Sequence, residues 1–179
     1  MTWVGAVVLA AGAGTRFKGP KQRILLPSVL ERLCRAPVDE IVVVAGAHAL
    51  DLPRDTVSPG VEARSVHCPD WERGPGASLR CGLAALDPEA GIAVVVLADG
   101  PDLSPEAVAR VLDVWKAEDG IAAASYGGNR GHPVVLGRAS WTEVPDEGLG
   151  RRPARLVPCD DLGSPGDVDT PGDLPVRFR

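Results

Sequence analysis

Four apolar runs punctuate the chain, and each gives way to glycine, proline or charge. They occupy positions 4–11 (VGAVVLAA), 41–45 (IVVVA), 92–98 (IAVVVLA) and 121–125 (IAAAS). The first three are too short to cross a membrane and lack period-two alternation. Such runs predict strands buried on both faces, as in a parallel sheet covered by helices. A shorter stretch at 61–66 predicts a further strand, after a loop at 53–60. Between the strands, polar and apolar positions mix at helical spacing. Residues 24–35 predict a short helix with Pro27 in its first turn and Pro37 closing it. A second helix runs to about Leu86, capped by Ser78 or the glycines before it and stopped by Asp87-Pro88. The third opens on Ser104-Pro105-Glu106, a serine cap, a first-position proline and an acidic first turn, and closes at Asp119-Gly120. Its Val108, Val111, Leu112 and Trp115 recur at helical spacing and are core. This alternation predicts one α/β domain over residues 1–179, three-layered, with a mostly parallel sheet.

The first strand runs into glycines at Gly12, Gly14 and Gly19, interleaved with Arg16, Lys18 and Lys21. Glycine lets an anion approach the backbone closely, so this loop suits phosphate. The bland alternative is a strand-to-helix turn with solvated cations. Two familiar phosphate motifs are excluded. The dinucleotide fingerprint needs glycine where Phe17 stands, and the P-loop register gives Gly19-Pro20-Lys21 with no hydroxyl to follow. A cation on such a loop is expected to be exposed, so Lys21 should contribute to ligand binding more than to folding.

The strand at 92–98 ends on Asp99, at the carboxyl edge that open α/β sheets use for ligands. Facing a phosphate loop, a carboxylate there calls for an intervening cation. Magnesium held by one or two carboxylates and substrate phosphates is the usual arrangement. Otherwise Asp99 is a turn residue capping a backbone N–H. Asp167 and Asp169 alternate on an extended segment and so point the same way, which suits shared duty at a metal or its waters. Asp102 is read as a turn or cap residue.

Composition narrows the class. Of 179 residues, 45% are hydrophobic and 24% charged, with a formal charge of −5. Those proportions belong to globular proteins, and the acidic balance argues against nucleic acid as the main partner. The four cysteines form no CxxC pair, and with three histidines there is no zinc-like constellation. Reduced thiols, no basic leader after Met1 and no membrane-length run point to the cytoplasm. His48 reads as a solvated loop histidine, and His67-Cys68 as structural.

The pattern Leu9-Ala10-Ala11-Gly12, Gly14, Arg16, Gly19, Lys21 resembles the molybdenum-cofactor nucleotidyltransferase family. Here the spacing from Arg16 to Lys21 is one residue longer than usual, and the connection after Lys21 is abbreviated. Further motifs follow in the family's order: Ser78-Leu79-Arg80-Cys81-Gly82-Leu83, Leu97-Ala98-Asp99-Gly100-Pro101, Gly128-Asn129-Arg130-Gly131-His132-Pro133, and Asp167-Val168-Asp169-Thr170-Pro171-Gly172-Asp173-Leu174. The glycine-acidic stretch at 146–151 matches a further family element only with a one-residue offset.

The resemblance implies a Rossmann-like nucleotidyltransferase fold and transfer of CMP from CTP to the terminal phosphate of a molybdopterin-type acceptor, with release of pyrophosphate. The Leu-Ala-Ala-Gly and Ser-Leu-Arg elements lean toward the cytidylyl branch. It assigns nucleotide binding to Leu9, Ala10, Ala11, Gly12, Gly14, Arg16, Lys21, Ser78 and Arg80. Catalysis falls to Arg16, Lys21 and Asp99, and Mg2+ to Asp99 and Asp169. The acceptor side falls to Arg130 and His132, with His132 positioning rather than moving a proton, since a phosphate acceptor is already ionised. A molybdoenzyme apo-subunit is an implied partner; nucleic acid and membrane are not. The alternatives are guanylyl transfer from GTP, transfer to a sugar or polyol phosphate, and a non-catalytic nucleotide-binding maturation factor.

Overall fold

The computed structural model describes residues 2–52, 60–118 and 120–179. The loop expected at 53–59 and the helix-ending Asp119 lie outside the described residues. In chain order the elements are β1 (Trp3–Ala10), α1 (Gln22–Leu33), β2 (Glu40–Ala45), β3 (Glu62–His67), α2 (Pro75–Ala85) and β4 (Ala90–Leu97). Then come α3 (Pro105–Glu118), β5 (Ile121–Tyr126), β6 (Asn129–Gly137) and β7 (Arg155–Pro158). Seven strands form one sheet in the order β3-β2-β1-β4-β6-β5-β7. All pairings are parallel except those of β6, which runs antiparallel to both β4 and β5. No described helix is long and apolar enough to cross a membrane.

The apolar runs are buried on both faces for the reason their sequence suggested. Alternate residues of β1 feed two cores. Val4, Ala6, Val8 and Ala10 face α1 and α3, packing with Leu26, Leu30, Leu33, Val111 and Leu112. Val7 faces α2, with Val44, Leu79, Leu83 and Val95. At roughly 1.5–3 kcal/mol per buried aliphatic side chain, this double burial is the main force holding helices on both faces.

Strand order locates the functional edge. From β1 the chain winds outward through β2 and β3, then returns to place β4 on the other side of β1. The order therefore reverses between β1 and β4, and a crevice opens beyond their carboxyl ends, where α/β sheets bind ligands. Both the glycine loop and Asp99 leave the sheet there.

Three expectations change or narrow. Helix α1 begins at Gln22 directly after the loop, so Pro27 falls in its second turn rather than its first. Of the two caps expected for α2, the glycine is the one used: the helix starts at Pro75 with Gly74 (φ 130°) at the cap, while Ser78 is buried inside the first turn and caps nothing. The stretch around Arg130, whose Gly/Asn-rich composition alone reads as a turn between strands, is itself strand. Gly127 and Gly128 (φ 58° and 77°) make a two-residue hairpin turn, a conformation open to glycine, and β6 begins at once with Asn129. Pairing of β6 with β4 runs only from Gly137 to Val134 and ends where Pro133 has no N–H to donate. Beyond that point the two strands part, and Arg130 and His132, two apart on β6, line the cavities beside the gap.

Candidate active site

The loop after β1 is shaped by what its carbonyls bind. Ala11 O accepts from Ala47 N (3.0 Å), Gly12 O from Gln22 Nε2 (2.8 Å) and Ala13 O from His48 Nε2 (3.0 Å). Gly14 O accepts from Phe17 N and Gly19 N, and Thr15 O from Lys18 N. In a trans peptide the next N–H points opposite to the carbonyl. Anchoring these carbonyls on the protein therefore turns the N–H groups of residues 12–16 the other way. Gly14 (φ 63°) is required: a Cβ there would lie 2.3 Å from Gly19 O. Lys18, in the left-handed region at φ 61°, absorbs the extra residue between Arg16 and Lys21 within the same turn.

A cavity of about 230 Å³ lies against this loop, lined by Leu9, Ala10, Gly12, Gly14, Thr15, Arg16, Lys21, Gln22, Ala98, Asp99 and Asp169. It also abuts Lys21 and Gln22 at the start of α1, where Arg23 N, Ile24 N and Leu25 N already donate to Pro20 O and Lys21 O. Eight of the predicted site residues thus meet at one cavity. Ala11 is buried beside them.

The carboxylates arrive from two distant segments. Asp99 leaves β4, and the C-terminal segment is laid across it by Val168 N to Asp99 O (3.2 Å) and Asp102 N to Pro165 O (2.9 Å). Asp173 accepts from both the N–H and the hydroxyl of Thr170 at 2.7 Å, fixing the turn that follows Asp169. Asp102 pairs with Arg177 at 2.7 Å, tying down the chain end. As a result Asp99, Asp167 and Asp169 each offer an oxygen within 4.8 Å of the others. Burial, then the Asp99 and Asp169 charges, push the Asp167 carboxyl above its ordinary value.

Lys21 is the surprise. It is 8% exposed, not a solvated cation. Its Nζ lies 2.9 Å from Asp99 Oδ2 and 3.5 Å from Asp169 Oδ1, and donates to Val168 O. Arg16 pairs with Asp169 as well, from an exposed position. An all-oxygen anionic donor set with a lysine ammonium seated on it fits a hard divalent cation.

A second cavity, about 400 Å³, opens on the α2 side of the gap between β4 and β6. Its walls are mostly apolar: Leu9, Pro75, Leu79, Val95, Leu97, Val134 and Leu149, with Glu147, Gly148 and Gly150 at one side and Arg130 and His132 at another. Arg130 and His132 also line a third cavity of about 250 Å³, which includes Tyr126 and Asp167. Arg130 donates from Nη1 to Arg152 O at 2.7 Å, whereas its buried Nη2 meets no acceptor among the described residues. A guanidinium at the edge of an apolar-walled cavity suits a ligand with an anionic or carbonyl group.

Burial pushes the His132 imidazole down to about 4, against the pull of Asp99. It is neutral near pH 7, which favours positioning over proton transfer. Unfolded histidine titrates near 6.5. As pH falls from there toward 4, the unfolded chain gains a proton that the native one refuses, so stability falls with pH over that window. By denaturant titration at pH 7 and 4.5, the parent should lose on the order of 2–3 kcal/mol more than His132→Gln does. Equal losses would place His132 in solvent.

Besides Ala11, two residues assigned to the nucleotide, Ser78 and Arg80, line none of these three cavities. Ser78 is buried in α2. Arg80 donates to Val144 O (2.6 Å) and pairs with Asp146, which Arg73 also contacts at 3.1 Å. The Arg80 bond holds the Asp146 carboxyl below the usual carboxylate range. Arg80 thus fixes the 144–150 segment that walls the second cavity. The stretch at 146–151, a motif match only with an offset, and His48, read from sequence as solvated, both adjoin the site: Glu147, Gly148, Leu149 and Gly150 line the second cavity and His48 holds the Ala13 carbonyl. Gln22, adjacent to Lys21 and 4% exposed, carried no signal beyond that neighbour.

A family model described as a MobA-like NTP transferase domain matches residues 6–157. The bifunctional protein GlmU of Corynebacterium aurimucosum is 34% identical over 134 residues, which is 66% of this chain and 26% of that protein. The chain thus spans about a quarter of the length of the curated relatives it matches. Rv0371c from Mycobacterium tuberculosis H37Rv has a crystal structure that aligns with TM-score 0.72 at 29% identity, over 96% of this chain and 95% of that one. A second structure, of Rv0371C in complex with manganese, aligns with TM-score 0.69 at 29% identity, over 96% of both chains.

Proposed function

Because the chain belongs to the MobA-like NTP transferase domain family, we propose that it is a metal-dependent nucleotidyltransferase. In this reading it moves CMP from CTP to the terminal phosphate of a molybdopterin-type acceptor and releases pyrophosphate. The observation that carries the reading is the meeting, in one crevice, of a loop whose N–H groups are turned outward, two cations and three carboxylates.

The N–H groups of residues 12–16 and Arg16 hold the triphosphate in the first cavity, with Lys21 adding its charge once released from the carboxylates. Asp99, Asp167 and Asp169 would hold the ion, and magnesium bound there supplies Lewis acidity to phosphate oxygens. The acceptor occupies the second cavity, where the aliphatic walls suit a flat heteroaromatic body better than a sugar, which needs many side-chain hydrogen bonds. Arg130 supplies positive charge at the edge of that cavity, and neutral His132 orients the strand beside it. Because an ionised phosphate attacks, the chain has no need of a strong general base; its work is positioning and charge stabilisation. The preference for cytidine rests on Ala11 in the loop and on the Ser78-Leu79-Arg80 element. Such a reaction belongs in the cytoplasm, beside an apo-molybdoenzyme that receives the product.

Pyrophosphate release, measured with each of four nucleoside triphosphates with and without molybdopterin, tests the reading. CTP with molybdopterin should give the fastest release. A GTP preference would sink the cytidylyl assignment alone. Release that ignores molybdopterin but responds to a sugar or polyol phosphate would move the acceptor. No release with any acceptor, despite nucleotide binding, would point to a maturation factor.

A further inference from the structure

Lysine 21 and a divalent cation cannot both use the acidic cluster. The ammonium donates a hydrogen bond to the Val168 carbonyl and forms ion pairs with Asp99 Oδ2 at 2.9 Å and Asp169 Oδ1 at 3.5 Å. In this arrangement its charge is spent on the carboxylates and not on a phosphate. Asp99 and Asp169 are also two of the three carboxylates whose oxygens converge within 4.8 Å. A dication among those oxygens would face an ammonium at contact distance, in a site where Lys21 is 8% exposed and solvent screens little. One cation must leave.

We propose that Lys21 is an exchange latch. In the ligand-free protein its ammonium neutralises the cluster and holds the C-terminal segment on β4 through Val168. A polyphosphate arriving at the loop offers the ammonium new acceptors, and the carboxylates then pass to the metal. Metal and nucleotide therefore enter together, and the metal alone binds weakly. Arg16, exposed and paired to Asp169, can swing to the phosphates at little cost. The latch rests on the metal reading above and extends it to the order of binding.

Manganese titration followed by electron paramagnetic resonance, without nucleotide, tests the latch on the parent and on Lys21→Met, which keeps the side chain's bulk without its charge. The variant should bind Mn2+ at least tenfold more tightly. Should Lys21→Met fail to fold, the parent itself decides. The chain has three lysines, Lys18, Lys21 and Lys116. Amine acetylation read by mass spectrometry should find Lys21 the slowest in the free protein, and saturating Mn2+ should accelerate it several-fold relative to Lys116. Equal Mn2+ affinities in parent and variant, or a Lys21 whose labelling ignores Mn2+, would overturn the latch and leave the metal site standing. Absence of Mn2+ binding in both proteins would overturn the metal reading and the latch together.

Discussion

Replacing Asp99 with asparagine is expected to lower turnover by about a thousandfold or more while leaving the ligand-free fold intact. Asp99 sits where β4 leaves the sheet and is one of three convergent carboxylates beside the anion loop. Asparagine keeps its shape but removes the charge on which a divalent ion depends. The loss of Lewis-acid assistance costs several kcal/mol of transition-state stabilisation, and a thousandfold corresponds to about 4 kcal/mol. The fold should survive because the amide oxygen can still accept from Lys21 Nζ, which lies 2.9 Å from the present carboxylate. Val168 N is held by the Asp99 backbone carbonyl, which the substitution does not touch. Turnover and melting temperature, compared under matched conditions, check both halves. Turnover within about tenfold of the parent, under ~1.4 kcal/mol, would reduce Asp99 to a turn residue and a partner for Lys21.

Gly76→Ala is expected to combine the largest structural cost with a selective loss at the acceptor. A Cβ at position 76 would stand 1.7 Å from Pro145 O and 2.7 Å from its carbonyl carbon. Those are backbone atoms, so no side-chain rotation relieves the clash. The 144–150 segment must shift away from α2, straining the Gly76 N to Asp146 O bond (2.9 Å) and the Arg80 contacts to Val144 and Asp146. Overpacking of this kind costs about 1–3 kcal/mol, or roughly 2–12 °C in melting temperature for a chain of this size. Residues 147–150 wall the second cavity, so the acceptor KM should rise while calorimetric nucleotide affinity stays near the parent value. A lower melting temperature with an unchanged acceptor KM would remove the acceptor from that cavity. An unchanged melting temperature would mean that the segment gives way freely.

The elements most legible in the sequence were those written by burial or by local backbone chemistry. Strands β1, β2 and β4 announced themselves because covering both faces of a sheet demands unbroken apolar residues. The cap of α3 was legible because a serine hydroxyl meets an orphan N–H within one turn: Ser104 Oγ accepts from Ala107 N at 3.2 Å. The loop from Gly12 to Lys21 and the aspartates at 99, 167 and 169 were legible because each carries unusual chemistry at a strand end or in strict alternation. The Gly127-Gly128 turn is written in composition, yet β6 itself is not. An antiparallel strand opening on Asn129-Arg130-Gly131-His132-Pro133 has the composition of a loop, and only its neighbours β4 and β5 make it a strand.

What the sequence determined by itself is the α/β class, the position of the crevice and the kinds of groups that line it. Those follow from hydrophobic periodicity and backbone freedom, which act over a few residues. Tertiary structure alone decided which groups meet. Lys21 reaches Val168 across 147 positions, so whether it is a solvated cation or a buried counter-ion depends on where the C-terminal segment lies. Arg80 was assigned to the nucleotide but closes on Asp146, 66 positions away. His48 holds the Ala13 carbonyl across 35. Burial and pairing of charge are set by long-range contacts, whose cost and benefit no local pattern records, and so the electrostatics of the site had to be read from the fold.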